Sequence, residues 1–108
     1  MTKPVVQRPR ADEDIDYIFA FLRGDSVQAA ANFLDAVEAA YELLSEQPGI
    51  GSPRHSEFCP ELPYPLRFLP INHFPRILVY YTNRPEAVEV IRVWDAARGL
   101  AALVAEME

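Results

Sequence analysis

Arginines are the side chains in this sequence that are best suited to do chemistry. Between positions 52 and 99 the chain carries six arginines and no lysine. A guanidinium group presents a rigid planar fork of donors, which suits it to pair with a carboxylate or a phosphate. Two aromatic residues and one acid lie among these arginines. The sequence therefore predicts a groove that binds a partner or target, formed by Arg67, Arg76, Tyr80, Arg92, Trp94, Asp95 and Arg98.

RNA cleavage is one reaction that can be tested against these residues, because arginines could assist it by binding phosphate. It needs one group to take the proton of the 2′-hydroxyl, another to protonate the leaving oxygen, and cations to hold the phosphate. Arginine supplies the cations but holds its own proton too tightly to act as a ready acid or base. Asp95 could accept a proton, yet its carboxylate would repel the phosphate. The acid–base set is incomplete, so the residues favour binding over catalysis and predict no catalytic residue.

No cofactor or metal site is expected from the sequence. His55 and His73 lie in predicted loops and lack the acid–histidine spacing of a metal site. Cys59 is the only cysteine and lies in a proline-rich segment that we predict to be flexible, so we interpret it as incidental. A single cysteine cannot form an internal disulfide, which predicts a reducing, cytoplasmic location.

A purely structural interpretation of the same residues stays open. Arg67, Arg76 and Arg92 could pair on a solvated face with the acids Glu57, Glu61, Glu86 or Glu89. Tyr80 and Trp94 are more typical of core packing than of an exposed platform. Asp95 could be the N-cap of a terminal helix, its side chain accepting from the N–H of Arg98.

Length and charge limit the class of protein. With 108 residues the chain predicts a single domain over residues 1–108, and no apolar run is long enough for a membrane span. The net charge is −6, and residues 1–50 contribute −5 from four basic and nine acidic groups. An acidic first half would repel phosphates, so direct sequence-specific DNA binding by this chain is not expected.

Helical spacing in the first half predicts two helices. Residues 4–8 form a short edge strand, and Pro9 suits the first turn of a helix that ends near Gly24. Asp25 and Gln28 have the spacing of a capping box that would open a second helix. That helix has an apolar stripe and ends before Pro48. Together the two helices predict a hairpin.

Strand-like segments dominate the second half. Residues 66–71, 76–82 and 87–95 are predicted strands, with turns at 72–73 and 83–86. The irregular connection over 52–65 is rich in proline, and residues 96–108 form a short helix or a tail. The predicted fold is α+β, in the order β-α-α-β-β-β: an N-terminal edge strand and a helical hairpin packed on a three-stranded antiparallel meander.

Local strings in this order resemble the ParE branch of the RelE/ParE toxin superfamily. The similarity extends over nearly the whole chain, and the colinear set is more specific than any single string. The matching strings are residues 8–11 (RPRA), 30–38 (AANFLDAVE), 48–51 with 53–54 (PGIG, PR), 66–70 (LRFLP) and 88–98 (VEVIRVWDAAR).

Three departures from the family pattern bear on structure and mechanism. Arg8 replaces the usual Ser or Thr before Pro9, so the first helix should lack a side-chain N-cap, at a cost of about 1 kcal/mol. Residues 56–65 form a longer connection than is usual. Asp95 stands where the family commonly has histidine, which shifts the expectation from cutting RNA towards binding a protein.

The resemblance implies the toxin component of a type II toxin–antitoxin, or plasmid stabilisation, system. Such a toxin inhibits DNA gyrase by binding and is neutralised by a ParD-like antitoxin in a 2:2 or larger complex. The antitoxin would have a ribbon-helix-helix dimerisation domain and a disordered tail that folds along the groove. Two alternatives stay open: a ribosome-dependent mRNA endonuclease of the RelE type, and a non-toxic relic that only binds an antitoxin.

Overall fold

The strands and helices follow the predicted order in this computed structural model, which describes residues 2–107. β1 (Val5–Gln7) precedes α1 (Pro9–Asp25) and α2 (Val27–Glu46), and β2 (Leu66–Ile71), β3 (Phe74–Asn83) and β4 (Val88–Asp95) follow. They form one sheet in the order β1-β4-β3-β2. β1 runs parallel to β4, and the other neighbours are antiparallel. The predicted α+β fold, with β1 as an edge strand, is confirmed.

The two helices differ from the prediction only at their junction. α1 continues through Gly24 to Asp25, and Ser26 is the N-cap of α2, its Oγ accepting from Ala29 N at 3.1 Å. The predicted capping box is therefore wrong: Asp25 is still helical, and the Gln28 amide donates to Asn32 instead. Arg8 makes no side-chain cap at the start of α1, as predicted.

The hairpin packs on one face of the sheet, which we call the hairpin face. Here α1 and α2 bury alternate residues of β3, as period-2 side-chain alternation requires. In β4 a bulge between Val90 and Arg92 shifts the alternation by one residue, so Val93 also lies on this face. This first core also takes in Ile71 at the end of β2. Its buried members are Ala11, Ile15, Ile18, Phe33, Val37, Ala40, Leu44, Ile71, Ile77, Val79, Tyr81, Val88, Val90 and Val93.

The opposite face, which we call the second face, is also buried. It is covered by the connecting segment, residues 52–65, and by α3 (Leu100–Ala105). A two-residue bridge, Ser52 with Phe68, ties this segment to β2. Cys59, which we interpreted as incidental, is 2% exposed and is part of a second core. That core consists of Cys59, Leu66, Leu78, Tyr80, Ile91, Trp94 and Leu103.

Burial on both faces explains the nearly continuous apolar runs in β3 and β4. These are the two central strands, and parallel or doubly covered strands lose the apolar–polar alternation of a half-exposed sheet. β3 begins at Phe74, two residues earlier than predicted, and the turn before it is closed by His73 at φ 70°. Among the described residues, no helix is long and apolar enough to cross a membrane.

Candidate partner-binding groove

A groove lies where α1 crosses the open end of β4. β1 pairs with β4 only from Val88 to Val90, so the second half of β4 has no strand neighbour on that side. The space between α1 and this edge, which we call the α1–β4 groove, has a cavity volume of about 880 Å³. Its walls come from α1, the start of β3, the end of β4 and the C-terminal segment. They include Tyr17, Phe21, Phe74, Arg76, Ile77, Val93, Asp95 and Arg98.

The α1 wall of the groove presents two aromatic side chains to solvent. Tyr17 and Phe21 are 69% and 68% exposed, and their i,i+4 spacing places them side by side on the helix. Phe74 and Ile77 of β3 line the facing wall. Paired exposed aromatic rings beside an apolar wall mark a surface suited to binding another molecule.

A buried ion pair forms the floor. Arg92 is 2% exposed and donates from Nε and Nη2 to the two carboxylate oxygens of Asp14, at 2.7 and 2.8 Å. The Asp14 hydrogen bond is the main reason that the pKa of Arg92 is raised. Asp14 also accepts from Val93 N at 3.0 Å, so it satisfies a backbone donor at the open edge of β4.

Asp14 is a site residue that the sequence analysis missed. It lies three residues after Ala11 and four before Ile18, both buried, so its spacing already placed it on the buried stripe of α1. An acid on such a stripe calls for a buried partner. Arg92 is that partner, which rules out the alternative that Arg92 pairs on a solvated face with Glu57, Glu61, Glu86 or Glu89.

Three arginines converge on Glu106, which follows α3. Its carboxylate lies 3.2 Å from Arg10 Nη2, 3.6 Å from Arg92 Nη2 and 3.2 Å from Arg98 Nη2. The Glu106 carbonyl also accepts from Arg92 Nη1 at 3.2 Å. The C-terminal segment is therefore held against the groove by charge as well as by apolar packing.

Trp94 and Tyr80 lie in the second core. They are 1% and 2% exposed, which agrees with the core interpretation and removes them from the accessible surface of the isolated chain. Trp94 Nε1 donates to Gly99 O at 3.2 Å, and the Arg98 guanidinium lies 4.0 Å from its ring centroid. Trp94 thus fixes the position of Arg98 at the groove edge.

Asp95 and Arg76 face each other across the end of the β3–β4 pair. Their closest side-chain atoms are 3.7 Å apart, and Arg76 is 74% exposed. Asp95 is an N-cap, but of the 3₁₀ turn Ala96–Arg98, and it accepts from Ala97 N at 2.9 Å. The predicted Arg98 donor is therefore wrong, because a turn this tight brings the second N–H after the cap into reach.

Arg67 lies outside the groove. It donates from Nη1 to Gly49 O at 3.1 Å and to Gly51 O at 2.8 Å, and so fixes the turn after α2. The alternative that Arg67 and Arg76 pair with glutamates is also ruled out, because Arg67 binds backbone carbonyls and Arg76 lies beside Asp95. The acids named for them are Glu57, Glu61, Glu86 and Glu89, of which the last two form ion pairs with Arg84 and Arg8.

The second face holds a His–Tyr pair. His55 Nδ1 lies 2.9 Å from Tyr80 Oη, and the His55 ring stacks on Phe68 with centroids 4.6 Å apart. Burial, with a smaller contribution from Arg54, lowers the pKa of His55. Burial also raises the pKa of Tyr80 to about 12, with a further contribution from Cys59. At neutral pH both groups are therefore uncharged.

Of the groups that could move protons, His55 and Tyr80 are hydrogen-bonded to each other, and Arg92, which lies opposite Tyr80 in the β3–β4 register, is bonded to Asp14. In the β2–β3 register Arg67 pairs with Tyr81 and Phe68 pairs with Tyr80, so Arg67 and the His–Tyr pair lie on opposite faces. Arg76 and Arg98 lie at the groove edge, beside Asp95. Within residues 2–107, no group of three or more His, Cys, Asp or Glu side chains could hold a metal ion. The arrangement suits binding better than acid–base catalysis.

Comparison with known proteins gives one family and one fold. The family model described as "ParE toxin of type II toxin-antitoxin system, parDE" matches residues 5–100. A chain of the solved structure described as "Chromosomal ParDE TA system from P. aeruginosa" matches with a TM-score of 0.65 and 15% identity. This match covers 85% of the present chain and 94% of the other, and at that identity it shows the fold alone. No curated protein sequence gives a significant match.

Proposed function

This chain belongs to the family of ParE toxins of type II toxin–antitoxin systems, and we propose that it inhibits DNA gyrase by binding. The observation that carries the proposal is the α1–β4 groove. Its exposed wall is aromatic, and its most buried cation, Arg92, is already neutralised by Asp14. Such a surface can recognise a protein but has no spare proton donor and acceptor at a common point.

We further propose that a ParD-like antitoxin holds the toxin silent. Its disordered tail would fold along the α1–β4 groove and cover Tyr17 and Phe21, in a 2:2 or larger assembly. Arg76, Asp95 and Arg98 line the groove and would contact this tail. Of the other predicted site residues, Arg92 and Trp94 would hold the groove in shape, while Tyr80 and Arg67 lie away from it.

A supercoiling assay tests the gyrase proposal. The purified chain should block ATP-dependent supercoiling by gyrase at a small molar excess, and the co-purified antitoxin should restore it. Normal supercoiling at a large excess of correctly folded chain would refute the proposal. Two other outcomes discriminate the alternatives: cuts in ribosome-bound message after induction would indicate an endonuclease, and unimpaired colony formation would indicate a relic.

A matched pair of surface variants tests the groove. Phe21→Ser removes an exposed ring inside the groove, and Val27→Ser removes an equally exposed apolar side chain outside it. Phe21→Ser should weaken antitoxin binding about tenfold or more, as loss of an aromatic contact at the centre of an interface does. Val27→Ser should bind as the wild type does. Equal affinities for the two variants would place the antitoxin elsewhere, and light scattering on the wild-type complex would report the assembly size.

A further inference from the structure

We propose that Arg10, Arg92 and Arg98 form a carboxylate-binding site in the lining of the α1–β4 groove, which Glu106 occupies within the chain. An acidic side chain of a protein partner would exchange with Glu106 at this site. The identification of that partner as the antitoxin rests on the function proposed above, whereas the site itself does not.

Two of the three arginines are held in place by contacts other than Glu106. Arg92 is buried and bound to Asp14, so its remaining donors point in one direction, towards Glu106. Arg98 is stacked on Trp94, and Arg10 lies within 4.0 Å of Glu13. Arg92 and Arg98 therefore stay in place when Glu106 leaves, whereas the exposed Arg10–Glu13 pair is weak. A site whose cations are held in place without the ligand loses little freedom when a new carboxylate binds.

Glu106 is an occupant that can leave. Its side chain is 37% exposed. It is also the C-cap of α3, where the helix dipole disfavours a negative charge. Within residues 2–107 the arginines are what favours the carboxylate here, and the pairs with Arg10 and Arg98 are exposed on both sides, so they are weak and exchangeable.

Charge and surroundings identify the incoming group as a carboxylate of a protein. The residues of α1 and α2 carry nine acids against two arginines, so the helices beside the site would repel a chain of phosphates. Arg10, Arg98 and Glu106 share the lining of the groove with Tyr17 and Phe21. A peptide that places an apolar side chain on those rings and an acid next to it would match both features.

Glutarate, a small dicarboxylate that resembles a glutamate side chain, is the probe for the site itself. Binding is followed on the full chain by NMR of the arginine Nε–Hε groups. Glu106→Gln should bind glutarate about tenfold more tightly than the wild type, because a tethered carboxylate competes at an effective concentration in the millimolar range. Because the aspartate side chain of Glu106→Asp reaches less far, the glutarate affinity of this variant should lie between those of the wild type and Glu106→Gln. Glu57→Gln, an exposed acid in the connecting segment, should match the wild type.

The same titration can overturn the proposal. Equal glutarate affinity for Glu106→Gln and the wild type would refute it, as would unchanged binding when Arg98→Gln is added to Glu106→Gln. A ten-residue RNA that binds Glu106→Gln more tightly than an amphipathic Leu/Glu peptide of equal length would refute the protein partner. None of these measurements involves gyrase or an antitoxin, so their failure is distinct from failure of the proposed function.

Discussion

The two faces of the sheet are both buried, but they are built by different means. On the hairpin face, two regular helices supply apolar side chains at helical spacing, among them Leu44, which is fully buried. On the second face, the cover is a proline-rich segment without long helices and a six-residue α3, anchored by Leu103. Regular periodicity buries the first face, whereas specific polar contacts hold irregular backbone over the second.

Those polar contacts are spread along the cover. Ser52 exchanges backbone hydrogen bonds with Phe68, Trp94 Nε1 donates to Gly99 O, and His55 pairs with Tyr80. Turn hydrogen bonds within the segment, such as Ser56 N to Pro53 O and Leu62 N to Cys59 O, satisfy part of its backbone, and the contacts above tie it to the rest of the chain. The difference between the faces implies that the hairpin face is part of the global unfolding unit and that the second face can open locally.

Arg92 contacts elements on both faces of the sheet, and its substitution should have the largest effect on the free energy of unfolding. It binds Asp14 of α1 on one side and the Glu106 carbonyl on the other. Arg92→Met leaves the Asp14 carboxylate buried without its cation, so the free energy of unfolding should fall by about 3–5 kcal/mol. Urea unfolding, monitored by circular dichroism, measures this fall in the free energy of unfolding.

Two further variants separate charge from packing at this pair. Adding Asp14→Asn to Arg92→Met removes the unpaired charge and keeps an acceptor for Val93 N, so about 1–2 kcal/mol should return. Arg76→Met, at a side chain 74% exposed, should change stability by less than about 0.5 kcal/mol. A loss for Arg92→Met no larger than that for Arg76→Met would contradict the role of the pair.

A leucine on each face compares their cooperativity directly. Leu44 and Leu103 are both 0% exposed, yet one lies in a twenty-residue helix and the other in a helix of six. Leu44→Ala should cost about 3–4 kcal/mol of global stability, and Leu103→Ala about 2, because α3 can detach before the rest unfolds. Amide exchange in α3 should speed up in Leu103→Ala alone. Equal losses with unchanged exchange would show that both faces unfold as one unit.

Gly51 lies where the hairpin face meets the connecting segment, and a substitution there tests how tightly the two are packed. A Cβ at this position would lie 2.5 Å from Tyr81 Oη and 2.9 Å from the Phe68 carbonyl oxygen. Gly51→Ala should therefore cost about 1–3 kcal/mol through overpacking. Gly49→Ala has open space around the new Cβ and should stay within about 0.5 kcal/mol of the wild type. Thermal unfolding of the two variants measures the difference, and similar midpoints would mean that this turn can shift at no cost.

The features that could be predicted from the sequence are those that depend on the local pattern of residues. Strand and helix order, the hairpin and the central positions of β3 and β4 followed from spacing and from apolar runs. The sequence did not predict the partners of the charged residues, because Asp14 and Arg92 meet across 78 positions and nothing local to Arg92 indicates an acid on α1. It also missed the second core, since Cys59 and Leu103 lie in segments too short or too irregular to show a period.

The pH dependence of stability offers the smallest and most specific test of the second face. Burial lowers the pKa of His55 in the folded chain below its value of about 6.5 in the unfolded chain. The folded state therefore favours the neutral ring. The stabilisation that this gives is fully present above pH ~6.5 and is lost as the pH falls through the folded pKa.

His55→Gln should remove this contribution, so the wild type should lose more stability than the variant between pH 7 and pH 5. Tyr80→Phe keeps the burial of the ring and should keep the wild-type slope, at a uniform cost of about 1 kcal/mol for the lost hydrogen bond. Urea unfolding at several pH values gives the slopes. If His55→Gln and the wild type change in parallel, the imidazole is solvated in the folded state, and the cover of the second face is already open around it.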